Sequence, residues 1–261
     1  MLGFLKSLRA WSDARTLRRR PIPDSLWALT VARYPFIARL GPDQLDKLRQ
    51  QATLFLASKE FSGAGGLEIT DDIAVAIAAQ ACIPILELGV DAYDSFVGIV
   101  VHPGEVMVER ELMDEDGIVH VEEQTLSGEV MQGGPMMLAW ADVDDAAESA
   151  DWAYNVVIHE FAHVLDMRNG EPDGVPPLPT RALRDRWVTL INDEYDEFCE
   201  RVEDGFDTVL DPYGATAIDE FFAVGVEAFF VASRAMKTEH PDLYALFAEY
   251  FRQDPASGDP G

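Results

Sequence analysis

The sequence is poor in cysteine, with only two among its 261 residues, and this scarcity limits the sites it can build. Cys82 falls in an apolar run and Cys199 among acidic residues, so the pair gives no sign of a disulfide framework. A cysteine-built zinc site is excluded for the same reason, since such sites need several cysteines close together. Any metal site in this chain must therefore use histidine and carboxylate side chains.

Basic residues are also scarce. Lysine and arginine together number 20 against 47 aspartates and glutamates, which gives a formal net charge of −27. Such a surface repels phosphate and lacks the counterion release that drives nucleic-acid binding, so we expect no nucleic-acid partner. The composition suits either a host with high internal salt, which screens self-repulsion, or an ordinary acidic cytosolic protein.

Long hydrophobic runs are missing as well. No run approaches the roughly 18 apolar residues that cross a bilayer, and the first 20 residues carry charges where a signal peptide needs an unbroken apolar block. We therefore expect a cytoplasmic protein without stable membrane insertion. Residues 1–20 form a basic N-terminal arm that includes the triplet Arg18, Arg19 and Arg20. This arm can contact anionic lipid, dock on the protein's own acidic surface, or remain solvated.

The residues that are present indicate a globular α+β protein. Hydrophobic residues make up 48% of the chain and aromatic residues 10%, enough to bury a core. Helical periodicity between residues 25 and 57, followed by a small-residue helix opened by Asp71 and Asp72, predicts a mainly helical region over residues 21–92. Short strands follow between residues 96 and 140, and helices return from Trp152. We expect residues 93–255 to form the functional core, in one compact unit with residues 21–92.

The most specific motif is H-E-x-x-H, within NVVIHEFAHVLDMRNG at residues 155–170. On an α-helix His159 and His163 project side by side from one face and can share a metal ion. Glu160 points off that face, within reach of a metal-activated water without being a ligand. Zinc peptidases use this arrangement, in which the metal polarises the scissile carbonyl and the glutamate takes a proton from water. The alternative is a buried helix whose histidines are core or cap residues.

A catalytic zinc usually has three protein ligands, and here the third must be a carboxylate. The position six residues after the motif, where a third histidine is typical, is Asn169. A nearly all-apolar helix, capped by Thr216 and running to about Ser233, carries Glu220 and Glu227. Burying either costs several kcal/mol unless it is paired or binds a cation. The two are seven residues apart on one stripe, so one can be a ligand while the other orients a histidine, and the spacing leaves open which.

Three further residues near the motif receive predicted roles. Asp166 follows His163 on the same seam and can support the site, by accepting a ligand's free N–H or by capping the turn into Asn169 and Gly170. Tyr213 precedes the glutamate helix and can donate a hydrogen bond to an oxyanion, the alternative being aromatic packing. Asp219 is predicted to be a solvated first-turn acid.

Several segments together match a known family. The strongest matches are HEFAHVLDMRNG at residues 159–170, GVP at 174–176, DPYGATAIDEFFAV at 211–224 and EAFF at 227–230. Weaker ones are PILELG at 84–89, TLSGEV at 125–130, GGPMMLAW at 133–140 and FAEYFRQDP at 247–255. In this order the chain resembles the Mlc titration factor A family of zinc peptidases, and more distantly the catalytic domain of anthrax lethal factor. The resemblance covers most of the chain beyond residue 80.

The resemblance implies a zincin-like (gluzincin) fold, with a small mixed sheet packed on the active-site helices and an N-terminal helical region. It implies Zn²⁺ binding by His159, His163 and Glu220, proton transfer by Glu160 and oxyanion stabilisation by Tyr213. It selects Glu220 over Glu227 as the ligand, which leaves Glu227 to orient a histidine.

The resemblance also implies a function. Members of that family are described as cytoplasmic peptidases with aminopeptidase-type activity on small substrates, and the enterobacterial ones bind the transcriptional repressor Mlc. We therefore expect a zinc-dependent, aminopeptidase-like enzyme acting on peptide substrates, with a regulatory role through a transcriptional repressor. The alternatives are a non-catalytic binding protein that sequesters a transcription factor and a purely structural zinc site. The strand within residues 133–140 is either the edge strand beside which an extended substrate lies or an ordinary core strand.

Overall fold

The computed structural model describes residues 2–104, 106–113, 119–126, 128–130, 134–146 and 153–257. Helices dominate the first part of the chain, and their bounds are α1 Leu2–Arg19, α2 Asp24–Arg33, α3 Pro35–Ala38, α4 Pro42–Ser58 and α5 Asp71–Cys82. Helix α5 begins where its two aspartates predict, because the Thr70 hydroxyl accepts the N–H of Ile73 and caps the first turn. Nine of its twelve residues are buried, so the small side chains let neighbouring helices approach closely.

A small mixed sheet follows. Its strands lie in the order β1 (Glu60–Gly63), β2 (Gly98–His102), β6 (Met136–Ala139) and β5 (Gly128–Val130). Strands β1, β2 and β6 are parallel, and β5 runs antiparallel to β6 with Gly128 opposite Leu138. A separate antiparallel hairpin is formed by β3 (Val106–Met113) and β4 (Val119–Leu126). The edge-strand interpretation of residues 133–140 is therefore wrong, because β6 is flanked by strands on both sides and β5 forms that edge; Gly133 and Trp152 lie outside the described residues.

Helices return after the sheet, as expected for an α+β fold. They are α6 Trp140–Asp145, α7 Val156–Asp166, α8 Arg181–Glu203, α9 Ile218–Val231, α10 Ser233–Glu239 and α11 Pro241–Phe251. Helix α7 lies at the centre, in contact with α5, α9, β5 and β6, and all eleven of its residues are buried. This explains why all of its residues except His159, Glu160, His163 and Asp166 are apolar.

Residues 2–19 of the basic arm form α1, which contacts α4, and Met1 lies outside the described residues. Arg9 makes ion pairs with Asp91 at 2.5 Å and with Asp94 at 3.3 Å. These pairs are largely exposed, so each adds little to stability. No helix in the described ranges is both long enough and apolar enough to cross a membrane.

Candidate metal centre

Helix α7 carries both histidines of the motif, with their side chains directed to the same place. The Asn155 side chain caps the helix by accepting the N–H of Ile158 at 2.9 Å. One turn apart, the rings of His159 and His163 lie with centroids 4.9 Å apart, and their Nε2 atoms are separated by 3.2 Å. Both side chains are buried, so the cap and the helix period together fix where the rings point.

Helix α9 supplies a carboxylate to the same point. Glu220 lies in its first turn, with Oε2 3.0 Å from His159 Nε2 and 3.4 Å from His163 Nε2. The three side chains can each offer one ligand atom, and these atoms lie within 4.8 Å of one another. The structure therefore brings together the two histidines and the glutamate that the sequence predicted as ligands.

Glu227 lies two turns further along α9 and contacts the far side of the same histidine. Its Oε1 is 2.7 Å from His159 Nδ1, and its Oε2 accepts the backbone N–H of Asn155. With the carboxylate accepting a hydrogen bond from Nδ1–H, the Nε2 atom of the ring faces Glu220 and His163. The residue is only 1% exposed, so these two hydrogen bonds compensate the burial of its carboxylate.

The cluster fits a divalent cation. Two ring nitrogens and a carboxylate oxygen converge at distances where their lone pairs repel one another unless a positive charge lies between them. Two imidazoles and one carboxylate are also a donor set that zinc prefers. Burial alone would lower the pKa of His159, but Glu227 and Glu220 raise it well above its ordinary value. A proton on His159 would thus compete with a cation for this site.

This competition predicts a pH-dependent metal affinity. Because its carboxylate neighbours raise the pKa of His159 well above the ordinary value, we expect the ring of the metal-free protein to carry a proton near neutral pH, which zinc must displace. We expect zinc affinity to rise by about tenfold per pH unit between about pH 6 and pH 8. Competition with a chromophoric chelator of known proton dependence measures this slope. An affinity independent of pH would show that His159 is already neutral.

Glu160 lies beside the cluster without joining it. Its side chain is buried by β5, whose Gly128 lies against the carboxylate. Burial raises the pKa of Glu160 above its ordinary value, while the neighbouring His159 and His163 oppose the rise. A buried carboxylate with increased basicity, adjacent to the ligands but not aimed between them, has the properties of a general base.

Tyr213 lies at the mouth of the site. It belongs to a short 3-10 helix, Pro212–Thr216, in which Asp211 accepts the Tyr213 N–H at 2.8 Å. Its ring centroid is 6.1 Å from that of His159, and the residue is 47% exposed. The predicted cap of α9 is wrong in detail: the helix begins at Ile218, and the Thr216 hydroxyl donates to the Tyr213 carbonyl instead. Thr216 thus closes the turn that carries the tyrosine.

Asp166 lies at the end of α7 and is fully buried. Its Oδ2 accepts the N–H of Gly174 at 2.8 Å, and its Oδ1 has no hydrogen-bond partner in the described ranges. Gly174 has φ of 72°, a conformation natural to glycine, which aims its N–H at the carboxylate. Burial raises the pKa of Asp166 to about 6. Asp166 therefore anchors the segment after α7 through Gly174. The sequence predicted instead that it would accept the N–H of a ligand histidine or cap the turn at Asn169 and Gly170.

Sequence reasoning missed two buried amides behind the site. Asn155 Nδ2 donates to Gln80 Oε1 at 2.7 Å, and Gln80 projects from α5. Asn155 could have been recognised as a helix cap, because it directly precedes an apolar run. Gln80 gave a weaker indication of a buried polar contact, as the one amide in an alanine-rich helix. Asp219, next to Glu220, lies outside the metal cluster and is partly exposed.

Glu227→Gln provides a test of the support that Glu227 gives to His159. The amide can keep a contact with the ring but loses the negative charge that holds the Nδ1 proton. We expect zinc affinity to fall by roughly 10- to 100-fold, because substitutions of such supporting groups have effects of that size. Chelator competition at neutral pH measures the loss, with the exposed Glu171→Gln as control. Unchanged affinity would contradict an orienting role.

Comparison with known proteins places this site in a family. A model of the glucose-regulated metallo-peptidase M90 family matches residues 8–252. A Synechocystis sp. protein described as uncharacterized is 39% identical over 98% of this chain and 94% of its own length. Mlc titration factor A of Klebsiella pneumoniae is 35% identical, and that of Pectobacterium atrosepticum 36%, each over 88% of this chain and 86% of its own. The resemblance to the Mlc titration factor A family is thus confirmed, and the chain belongs to the glucose-regulated metallo-peptidase family M90.

Proposed function

We propose that this protein is a zinc-dependent peptidase of aminopeptidase type that cleaves small peptides by attack of water. The observation that carries the proposal is the convergence of His159, His163 and Glu220 with Glu160 alongside. A glutamate from a second helix as third ligand is the gluzincin arrangement that the family resemblance implies. Zinc, when bound there, would supply a Lewis acid that activates water and polarises the scissile carbonyl.

The chain's own groups perform the proton transfers. Glu160 takes a proton from the attacking water and later gives it to the leaving amine, and its burial makes it a better base than an exposed glutamate. Tyr213 donates its phenolic hydrogen bond to the oxyanion as charge develops on the substrate oxygen. Glu227 keeps the His159 ring oriented throughout.

Strand β5 offers a place for the substrate backbone. It pairs with β6 along one edge, and its other edge has no strand partner in the described part of the chain. An extended peptide can add to such an edge through main-chain hydrogen bonds that do not depend on side-chain identity. Gly128 of this strand lies against the Glu160 side chain, which supports a substrate path beside the proposed general base.

Metal removal tests the proposal. We expect one zinc per chain by elemental analysis and hydrolysis within a panel of aminoacyl and peptide chromogenic substrates. Chelation should abolish the hydrolysis and added zinc should restore it, with circular dichroism showing that the fold persists in between. A chain that binds zinc but cleaves none of these substrates would contradict the peptidase function. A chain that unfolds on chelation would instead favour a structural zinc site.

A second proposed function is regulatory, through binding a transcriptional repressor. It is supported by the name Mlc titration factor A, which relatives at 35–36% identity carry. Calorimetric titration with purified Mlc as the probe tests it, for the unmodified protein and for a Glu160→Gln variant. Equal binding by both proteins would separate the interaction from catalysis, and absence of binding by both would refute it for this partner. Binding without any hydrolysis would establish the non-catalytic alternative.

A further inference from the structure

Gly128 makes an unusually close approach to the catalytic machinery. A Cβ atom built on this glycine would lie 2.5 Å from Glu160 Oε1, 2.7 Å from its Cγ and 2.8 Å from its Cδ. Carbon atoms in proteins rarely approach other heavy atoms closer than about 3.4 Å without strain. Every residue other than glycine would therefore overlap with the Glu160 side chain in its present position.

Neither backbone can yield to such an overlap at low cost. Strand β5 is held in register with β6, where Gly128 pairs with the buried Leu138. Helix α7 is enclosed on all sides, and Glu160 projects from its middle. The part that can move is the glutamate side chain, which has rotatable bonds. Relieving the shortest contact, from 2.5 Å to about 3.4 Å, requires a shift of about 0.9 Å.

We propose that Gly128 is a positioning residue for the reaction, which admits the Glu160 carboxylate to its working place because it has no side chain. The inference rests on the proposed function, since it concerns the general base of that reaction. It predicts an asymmetry. Adding a methyl group at position 128 costs little in folding, because a flexible side chain gives way, but misplaces a reacting group by about 1 Å, which can lower a rate by about 100-fold.

The experiment compares Gly128→Ala with Gly104→Ala. Gly104 lies in the turn after β2, has open space where its Cβ would be and does not need a positive φ, so it controls for the loss of a glycine. We expect kcat of Gly128→Ala to fall by about 100-fold with KM changed by less than about threefold. Gly104→Ala should match the unmodified protein. Melting temperature and zinc content should be the same for all three proteins.

Two further readouts separate positioning from a structural role. Crystal structures of both variants should show the Glu160 carboxylate displaced by about 1 Å in Gly128→Ala and unmoved in Gly104→Ala. In a Glu160→Gln background the same alanine should change the residual rate by less than about twofold, because the group it misplaces is already inactive.

Several outcomes would overturn the inference: an unmoved Glu160, a kcat within about twofold of the unmodified enzyme, additive effects in the double variant, or loss of fold or zinc in Gly128→Ala. The last outcome would show that the glycine serves the structure and not the base. Should the unmodified protein cleave no peptide, the proposed function fails, and the crystallographic displacement alone still decides whether Gly128 sets the position of Glu160.

Discussion

Glu160→Gln is expected to lower kcat by about 10³-fold while leaving zinc content and stability unchanged. Glutamine has the shape of glutamate, so it fits against Gly128 in the same place, but its amide cannot accept the proton from the attacking water. General-base catalysis contributes about 10²- to 10⁴-fold in enzymes, and Glu160, the proposed base, is buried beside the proposed metal ligands. The substitution removes the ability to accept a proton and keeps the size and shape of the side chain.

Steady-state kinetics on the best substrate of the panel, with elemental analysis of the same preparations, measures this effect. Glu171→Gln is the matched control, because Glu171 is an exposed glutamate just beyond α7. Its kcat should equal that of the unmodified protein. A Glu160→Gln variant that keeps more than about a tenth of the activity would show that another group accepts the proton.

Glu220→Ala is expected to lower zinc affinity by at least about 100-fold and to remove peptidase activity at limiting zinc. Structural zinc sites with four protein ligands bind zinc with an apparent free energy on the order of 12 kcal/mol, which is about 3 kcal/mol for each ligand. That share corresponds to a factor of roughly 100 to 200. The loss should exceed that for Glu227→Gln, since Glu220 faces both Nε2 atoms whereas Glu227 contacts one ring from behind.

The neighbouring acid provides the control for this second effect. Asp219 shares the first turn of α9 with Glu220, so Asp219→Ala removes a similar charge from the same helix N-terminus without touching the cluster. Chelator competition should separate the two variants clearly. Equal affinities would mean that the fall in the Glu220 variant arises from helix stability and not from lost coordination. Zinc bound as tightly as in the unmodified protein would point to a different third ligand.

The sequence could predict the parts of this site that depend on local geometry. On a helix, the spacing of His159 and His163 places both rings on one face. The two glutamates of an otherwise apolar helix need partners, because burying an unpaired carboxylate is costly. Helical periodicity alone could not distinguish Glu220 from Glu227, because both lie on one stripe. The distinction depends on how α9 crosses α7, which places Glu227 behind His159 and Glu220 in front of it.

Other features depend on contacts between distant parts of the chain. Strand β1 is short and mostly exposed, so its pattern carries no strand signal, and it exists because β2 pairs with it. The start of α9 at Ile218 follows from the turn at Pro212–Thr216, which takes up the threonine expected to cap the helix. The approach of Gly128 to Glu160 joins residues 32 positions apart, and a glycine between serine and glutamate gives no sign of it.

The buried side chains of Gln80 and Asn155 connect the N-terminal helices to the helix that carries the two histidines. Gln80 belongs to the N-terminal helices, yet it holds Asn155, whose N–H in turn holds the carboxylate that orients His159. A fragment beginning near residue 93 would keep the three proposed ligands but lose Gln80, which would leave the Asn155 side-chain N–H in the interior without its hydrogen-bond acceptor. We therefore expect that residues 93–255 alone would not hold the proposed metal site in its present geometry. Recombination that separated α5 from α7 would keep His159, His163 and Glu220 in the chain but would remove the hydrogen bond from Asn155 to Gln80 that supports their alignment.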